Sequence, residues 1–172
     1  MNYRRSLHPG GSFFFTVVNA SRKPIFNNPM AIHYLRNSIR KVMNRHPFYI
    51  DAMVVLPDHI HCIWTLPKDG SNYATRWRLI KTNFTKSSQT VSADVTPAAK
   101  SLWQKRYWEH TVKDENDFNR HVDYIHFNPV KHGHVTRAVD WPYSSFHRFV
   151  RQGIRPADWG IDETELEGVG QE

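Results

Sequence analysis

Along this chain, segments with the hydrophobic pattern of β-strands alternate with segments whose apolar residues have the spacing of α-helices. The order of these segments restricts the folds that the chain can adopt. Residues 13–18 read FFFTVV after a Pro-Gly-Gly turn, and this run of aromatic and β-branched residues predicts a buried strand. A segment that opens at Asn28 has apolar residues every three or four positions, which predicts a helix with Asn28 as its N-cap. Residues 48–56 and 59–66 are strand-like again, and the Pro-Asp dipeptide between them predicts a β-hairpin.

The second half of the chain continues the alternation. A helix is predicted from about Ser71, followed by a loop over 87–99 and a fourth strand over 102–112. A third helix follows from Asp114 and is predicted to end or kink at Asn128, because the following proline disfavours α geometry there. The order β-α-β-β-α-β with a further helix predicts an α+β fold, a ferredoxin-like split βαβ sandwich. Its four-stranded antiparallel sheet should have one face covered by helices and one face free to carry a site.

The length of 172 residues fits one domain, predicted over residues 1–155 with a C-terminal helical extension from about residue 135. A helix is predicted to begin at about Ser144, and residues 156–172 form an acidic tail. The one cysteine, Cys62, excludes an internal disulfide framework and any multi-cysteine metal site. The sequence shows neither an apolar run of about 20 residues nor a signal-peptide pattern, so we expect a soluble, cytoplasmic protein and no membrane partner.

The distribution of charge is the first indication of function. The chain has 23 Lys and Arg against 16 Asp and Glu, a net charge of +7, but six of the acidic residues lie beyond Arg155. Residues 1–155 therefore carry a net charge of +13. A domain this basic attracts phosphate polyanions, and its affinity for them should fall as the salt concentration rises. We expect a nucleic acid as the partner, although the same charge also solubilises exposed helix faces.

The sequence HIH at residues 59–61 lies in the second strand of the predicted hairpin. Because side chains alternate along a strand, His59 and His61 share one face while Ile60 and Cys62 point into the core on the other. Two imidazoles about 7 Å apart along one strand can close on one divalent cation, but a third ligand has to come from elsewhere. With eleven histidines in the chain, the pair alone does not establish a metal site.

A polar stripe runs along the predicted third helix. His121, Tyr124 and Asn128 lie at positions i, i+3 and i+7, so a phenol and a carboxamide leave the same face of the helix one turn apart. Taken alone, Tyr124 also fits the edge of an amphipathic helix, and Asn128 also fits a C-terminal cap.

Several blocks of the chain, in order, resemble the REP-associated tyrosine transposases, a group of the HUH single-tyrosine DNA transposases. The blocks are YRR and PGG before the first strand, LPDHIH at the hairpin, WQKRYWEH, HVDYIHFNPVKHG in the third helix, and DWPYSSF in the C-terminal part. The resemblance implies that His59 and His61 are metal ligands, that Tyr124 is the nucleophile, and that Asn128 is the third protein ligand. The wider family commonly has glutamine one turn after the tyrosine, and Asn128 departs from that pattern.

The resemblance also implies the reaction, which is the metal-dependent cleavage and joining of single-stranded DNA. The phenolate of Tyr124 would attack a backbone phosphorus and leave a 5′-phosphotyrosine link and a free 3′-hydroxyl group. Two imidazoles and one carboxamide oxygen suit Mg²⁺ or Mn²⁺, with the nitrogen ligands favouring Mn²⁺, although Zn²⁺ also suits two imidazoles. His121 is the candidate general base, because His126 points away from Tyr124.

The expected substrates are single-stranded or hairpin DNA, namely REP-like palindromes with a short single-stranded guide beside the foot, which would associate the protein with the nucleoid. Aromatic and basic residues interleave as they do in single-strand grooves, although each tryptophan taken individually is more typical of a core. The expected DNA contacts are Arg4, Arg5, Arg78, Lys81, Lys105, Arg106 and Lys131. We expect a monomer, as the C-terminal segment of REP-associated members takes the partner's place, with a dimer as the alternative.

Two other functions stay open at the level of sequence. A protein of the same fold could bind repeat hairpins without turnover and regulate or mark them. An RNA-binding ferredoxin-like module would show paired aromatic residues on its central strands, but the hairpin strand offers HIH there instead.

Overall fold

The computed structural model describes residues 10–89 and 101–170, and it confirms the predicted order of strands and helices. The strands form one antiparallel sheet in the ferredoxin-like order β2-β3-β1-β4. Among the helices of the described ranges, none combines the length and the hydrophobicity that crossing a bilayer requires. The elements are β1 (Ser12–Val18), α1 (Pro29–Arg45), β2 (Tyr49–Val55), β3 (His59–Thr65), α2 (Tyr73–Gln89), β4 (Trp108–Thr111), α3 (Glu115–Lys131) and α4 (Phe146–Arg151).

One face of the sheet packs against α1 and α2. Trp64 of β3 stacks on Trp77 of α2, with the ring centroids 4.2 Å apart. Helix α1 begins as predicted, since the Asn28 side chain accepts a hydrogen bond from the Met30 amide. The side chains that fill this layer from β1 and β3 are completely or almost completely buried: Phe13, Phe15, Val17, Ile60, Cys62 and Trp64.

The opposite face of the sheet is not free, because α3 packs across it. Phe14 of β1 and Ile63 of β3 point to this face and are completely buried in one cluster with Val122 and Ile125 of α3. The expectation of a free face is wrong because this face carries apolar residues beside the polar Thr16, His59 and His61, and α3 buries both kinds. The site therefore lies in the layer between the sheet and α3.

Helix α3 does not end at Asn128 as predicted but continues through Pro129 to Lys131. Pro129 lacks the amide that would bond to the Ile125 carbonyl. The helix continues past it, since the His132 amide donates a 3.0 Å hydrogen bond to the Asn128 carbonyl. The end itself is a Schellman cap, in which the amides of Gly133 and His134 each donate a 2.9 Å hydrogen bond to a carbonyl of the last turn. Gly133 has φ +70°, the left-handed conformation that this cap requires.

Strand β4 is shorter than the predicted 102–112. Trp103 makes only an isolated bridge with Asn19, and its ring turns toward α2, where it lies 5.3 Å from the ring of Phe84. The chain therefore leaves the ladder between this bridge and β4. Helix α2, by contrast, extends into the beginning of the predicted loop, and the rest of that loop lies outside the described residues.

The segment before α4 lies along the outer edge of the sheet. Ser144 forms a β-bridge with Val54 of β2, and the Val55 amide donates a 2.9 Å hydrogen bond to the Tyr143 carbonyl. Helix α4 then begins at Phe146, two residues after the predicted start. The edge strand β2 is thus paired on both of its sides.

The acidic tail is folded as far as it is described. A 3-10 turn over Glu163–Leu166 is followed by Val169, and both Leu166 and Val169 are buried in the layer that contains α3. Arg120 of α3 donates a 2.8 Å hydrogen bond to the Glu167 carbonyl. The tail is therefore attached to the helix that carries Tyr124.

Candidate active site

The two histidines of the HIH motif stand side by side between the sheet and α3. The register of β1 against β3 pairs Val18 with His59 and Thr16 with His61. The Nε2 atoms of His59 and His61 are 3.1 Å apart, and both side chains are buried. Neighbouring ligands of an octahedral ion with bonds of about 2.1 Å stand about 3 Å apart. The two nitrogens therefore fit one shared cation.

Oxygen atoms hold the outer nitrogens of both rings. Nδ1 of His59 is 2.6 Å from Asp58 Oδ1, and Nδ1 of His61 is 2.9 Å from Thr16 Oγ1. Contacts of this kind fix the ring orientation of metal-binding histidines and leave Nε2 to the ion. Burial raises the pKa of Asp58, but its hydrogen bonds and ion pairs with His59 and Arg22 lower that pKa below its usual value. Asp58 is thus an anion at neutral pH.

Tyr124 reaches the histidine pair from α3. Its ring meets that of His61 edge-on, with the centroids 5.2 Å apart, and it also lies against Phe14. Asn128 follows one helical turn later and is completely buried. Nζ of Lys131 lies 5.1 Å from the centroid of the Tyr124 ring. The structure thus places the phenol ring beside His61, and the carboxamide one turn further along the same helix.

The tail covers Tyr124, whose side chain is only 2% exposed. A Cβ atom at Gly170 would lie 2.5 Å from Cζ of Tyr124 and 2.9 Å from its hydroxyl oxygen, so only glycine fits against the ring. Gly170 also has φ +71°, which favours glycine independently. Sequence reasoning missed this cover because it treated the tail as acidic surface. The available signal was the two apolar residues, Leu166 and Val169, among its carboxylates.

Three of the predicted DNA contacts line one cleft between α2 and residues 101–107, here called the α2 cleft. They are Arg78, Lys81 and Lys105, and the cleft also contains Lys86, which is not among the expected DNA contacts. Nζ of Lys81 donates a 3.2 Å hydrogen bond to the Gln104 carbonyl, and burial lowers the pKa of Lys81 to about 8. Lys81 is therefore still largely protonated at neutral pH.

The tryptophans beside this cleft belong to the core. Trp77 is 1% exposed and Trp103 is 5% exposed, so neither offers a ring face to an unpaired base. The ammonium of Lys81 lies 5.8 Å from the ring centroid of Trp103 and 5.2 Å from that of Tyr107. These rings hold the charge of Lys81 in place, and they do not serve as surfaces on which bases stack.

The remaining predicted contacts lie elsewhere. Arg106 lines a neighbouring cleft together with Arg22, on the other side of Gln104 and Tyr107 from the α2 cleft. Lys131 lies beside Tyr124, as described above. Arg4 and Arg5 fall outside the described residues.

The two histidines near Tyr124 on α3 have different surroundings. Nδ1 of His121 is 2.8 Å from the Asp117 carbonyl oxygen, and its role as a general base stays a prediction. Nε2 of His126 is 2.9 Å from Ser145 Oγ, on the opposite side of the helix, as expected from its position. Burial, together with nearby arginines, lowers the pKa of His126 to about 3, so this ring is neutral.

Sequence reasoning also missed Asp58 and Thr16. Asp58 was interpreted only as a turn residue, although a carboxylate directly before the first histidine is a suitable partner for a ligand ring. Thr16 is 45 residues away from His61 in sequence, and only the register of β1 against β3 brings the two together.

Comparison with known proteins assigns the chain with this site to a protein family. Residues 12–128, which contain the histidine pair, Tyr124 and Asn128, match the family model described as Transposase IS200 like. The chain belongs to this IS200-like transposase family. A REP-associated tyrosine transposase of Escherichia coli K12 is 44% identical to it over 166 residues, which are 95% of this transposase and 93% of that protein.

A solved structure of a REP-associated tyrosine transposase bound to a REP hairpin has the same fold. Its sequence is 41% identical to this transposase, the TM-score is 0.86, and the match covers 100% of this chain and 98% of the other. The similarity therefore extends beyond the sheet and α3 to the C-terminal segment. The resemblance noted from the sequence is confirmed.

Proposed function

We propose that this transposase cleaves and rejoins single-stranded DNA at hairpins of the REP type, with Tyr124 as the nucleophile. The observation that carries the proposal is the approach of the phenol ring to a histidine pair whose Nε2 atoms are 3.1 Å apart. The hairpin bound by the 41% identical relative supports the choice of DNA. His59, His61 and Asn128 would hold a divalent ion, Mg²⁺ or Mn²⁺, and the imidazole nitrogens favour Mn²⁺.

The proposed reaction exchanges one phosphoester for another. The Tyr124 oxygen gives up its proton and attacks phosphorus, the new O–P bond forms as the P–O3′ bond breaks, and the leaving 3′ oxygen takes up a proton. A bound divalent ion polarises the phosphate and offsets the negative charge that develops on it. Asp58 and Thr16 hold the two imidazole rings in place throughout. In the reverse direction a 3′-hydroxyl attacks the phosphotyrosine and restores the phenol, so no ATP is needed.

The α2 cleft supplies the electrostatic contact with DNA in this proposal. Its arginine and its three lysines line one continuous cleft, in which successive phosphates of a strand would lie. Removing Arg78 and Lys105 together (R78Q with K105Q) should therefore weaken hairpin binding and its salt dependence. Each phosphate contact contributes about 0.7 to 0.9 to the slope of log K against log salt, so we expect the slope to fall by about 1.5.

Fluorescence anisotropy with a labelled REP hairpin over a series of salt concentrations measures this slope. The exposed pair Lys41 and Arg45 on α1 provides the matched control, because K41Q with R45Q removes the same charge from another surface. If the control variant loses as much slope as the cleft variant, net charge rather than the α2 cleft sets the affinity.

A second candidate function, hairpin binding without turnover, is favoured by one specific observation. Tyr124 is almost completely buried under the tail, and a buried phenol cannot attack phosphorus. The two candidates differ in what happens once the tail is removed, because only an active nuclease then gains a covalent DNA adduct.

Removing residues 163–172 should accelerate adduct formation about tenfold. If the closed form of the tail is more stable than the open form by about 1.4 kcal/mol, about one tenth of the molecules are open. Truncation would make the open form dominant. The point variant Gly170→Ala should act in the same direction, since its Cβ would collide with the Tyr124 ring. Gel analysis of the initial rate of adduct formation with Mn²⁺ provides the measurement.

The exposed, left-handed Gly153 supplies the control for this experiment, because G153A carries similar backbone strain away from Tyr124. Unchanged rates in both tail variants would mean that the tail does not limit access. No adduct in any variant, with hairpin binding intact, would favour the second candidate function.

We further propose that the protein acts as a monomer. The Ser145 amide donates a 2.8 Å hydrogen bond to the Met53 carbonyl, and the Val55 amide bonds to the Tyr143 carbonyl, so the outer edge of β2 is occupied. A covered edge strand does not pair with a second copy of the sheet. Light scattering after size-exclusion chromatography should give the mass of one chain, and a stable species of twice that mass would contradict the proposal.

A further inference from the structure

A second group of metal-ligating side chains lies where β4 meets the first turns of α3. His110 is in β4, and Asp117 and His121 are four residues apart on α3. One ligand atom from each of the three side chains lies within 4.8 Å of the other two. Nε2 of His110 is 2.8 Å from Asp117 Oδ2, and Nδ1 of His121 is 3.1 Å from Asp117 Oδ1. The mechanism proposed above leaves this arrangement unused, apart from the candidate role of His121 as a base.

The donor set suits a borderline divalent ion. Two imidazoles and one carboxylate are the ligands that Zn²⁺ takes in sites with three protein ligands, with water in the fourth position. An i, i+4 pair on one helix, joined by a ligand from another element, is a spacing that zinc sites use. The pKa of Asp117 is lowered by its hydrogen bond with His110, and burial lowers the pKa of His121. At neutral pH Asp117 is therefore an anion and His121 is neutral. Nδ1 of His121 donates to the Asp117 carbonyl oxygen in the metal-free protein, so its proton moves to Nε2 when Nδ1 takes the ion.

The cluster is accessible and stands apart from the proposed catalytic ion. The side chains of His110 and Asp117 are 23% and 20% exposed, which leaves a route for an ion and its water. The ring of Phe14 lies between the two sites, 5.7 Å from the His61 ring and 4.7 Å from the His121 ring. One ion cannot serve both sets of ligands across this ring.

The carboxylate already has a structural role that is compatible with a metal. Asp117 Oδ2 accepts a 2.9 Å hydrogen bond from the Lys113 amide at the start of α3, while Oδ1 faces His121. The rings of His110 and His121 are stacked with their centroids 4.6 Å apart. The helix cap therefore stays intact when the oxygen facing His121 takes an ion.

We propose that His110, Asp117 and His121 bind Zn²⁺ or a similar divalent transition-metal ion and tie β4 to the helix that carries Tyr124. Such an ion adds a cross-link between two elements that already meet through the Asp117 carboxylate and the stacked rings of His110 and His121. The proposal does not depend on the reaction assigned to Tyr124.

Zinc titration of the metal-free protein tests the proposal. The variant His59→Gln with His61→Gln removes the first pair of ligands, so the Zn²⁺ that it still binds reports on the second group. We expect this variant to bind one equivalent in competition with a chromophoric chelator and to gain about 5 °C or more in melting temperature at saturating Zn²⁺. Adding His110→Ala or Asp117→Asn should abolish both the binding of this equivalent of Zn²⁺ and the gain in melting temperature.

The control adds His33→Ala, on the exposed side of α1, and should leave the equivalent and the gain in melting temperature unchanged. Because each gain is measured against the same variant without metal, a loss of intrinsic stability does not imitate the result. Asp117→Asn keeps an oxygen for the Lys113 amide, so it covers the case in which His110→Ala fails to fold. If the His59/His61 variant binds no Zn²⁺, or binds it equally well with Asp117→Asn, the proposal is wrong.

Discussion

Replacement of Tyr124 by phenylalanine is expected to eliminate the covalent protein–DNA adduct while hairpin affinity stays within about twofold. The substitution removes the atom that attacks phosphorus in the proposed reaction, and loss of a nucleophile commonly costs about 10⁴-fold or more in rate. The fold should survive, because the ring keeps its edge-on contacts with His61 and Phe14 and loses only the hydroxyl group. Denaturing gel electrophoresis of a labelled hairpin incubated with Mn²⁺ detects the adduct directly.

The comparison needs a tyrosine of the same chain that does not face the histidines. Tyr49 is 75% exposed at the start of β2, so Tyr49→Phe should form the adduct at the wild-type rate. An adduct that persists in the Tyr124 variant would assign the attack to another residue. Loss of binding together with the adduct would instead give Tyr124 a part in holding the DNA.

The sequence predicted the elements whose periodicity is set by local packing. The aromatic run over residues 13–18 and the apolar spacing after Asn28 each report burial within one element, and the structure confirms both. Alternation also predicted correctly that His59 and His61 share a face, because side-chain direction along a strand depends on neither the partner strands nor the rest of the chain. Such hydrophobic patterns show which side of a helix or strand is buried, but they do not show which other element covers that side.

The errors have that limit in common. Phe14 and Ile63 show that the second face of the sheet is partly apolar, but only tertiary packing shows that α3 lies on it. The cover over Tyr124 depends on a contact with Gly170, 46 residues later in the sequence. Pro129 was read through its local preference, whereas the Schellman cap that follows it satisfies the helix end despite the missing amide. Contacts at long sequence separation decide each of these features.

Replacement of the histidine pair is expected to have the second large effect on adduct formation. Replacement of Thr16, which contacts His61, should have a smaller effect of the same kind. His59→Gln with His61→Gln should reduce Mn²⁺-dependent adduct formation about 10³-fold or more, because in the proposed reaction the ion held by these rings would supply several kcal/mol of stabilisation to the charge at phosphorus. Thr16→Val removes one hydrogen-bonding partner of the ligand rings in a nearly isosteric way. Loss of such an outer contact should cost about 10- to 100-fold, with much of the activity restored by a higher Mn²⁺ concentration.

This difference in rescue is what separates a metal site from a buried histidine pair that merely stabilises the layer. If the rings only pack, Thr16→Val and the double glutamine variant would lower the melting temperature, and added Mn²⁺ would restore neither activity. If the rings hold an ion, the Thr16 variant has a weaker site that a higher Mn²⁺ concentration still saturates. The double variant lacks both ligand nitrogens, so no Mn²⁺ concentration restores its site. Adduct yield measured against Mn²⁺ concentration should therefore shift to higher concentration for Thr16→Val and stay near zero for the double variant. Wild-type yield in the double variant would remove the histidines from the reaction.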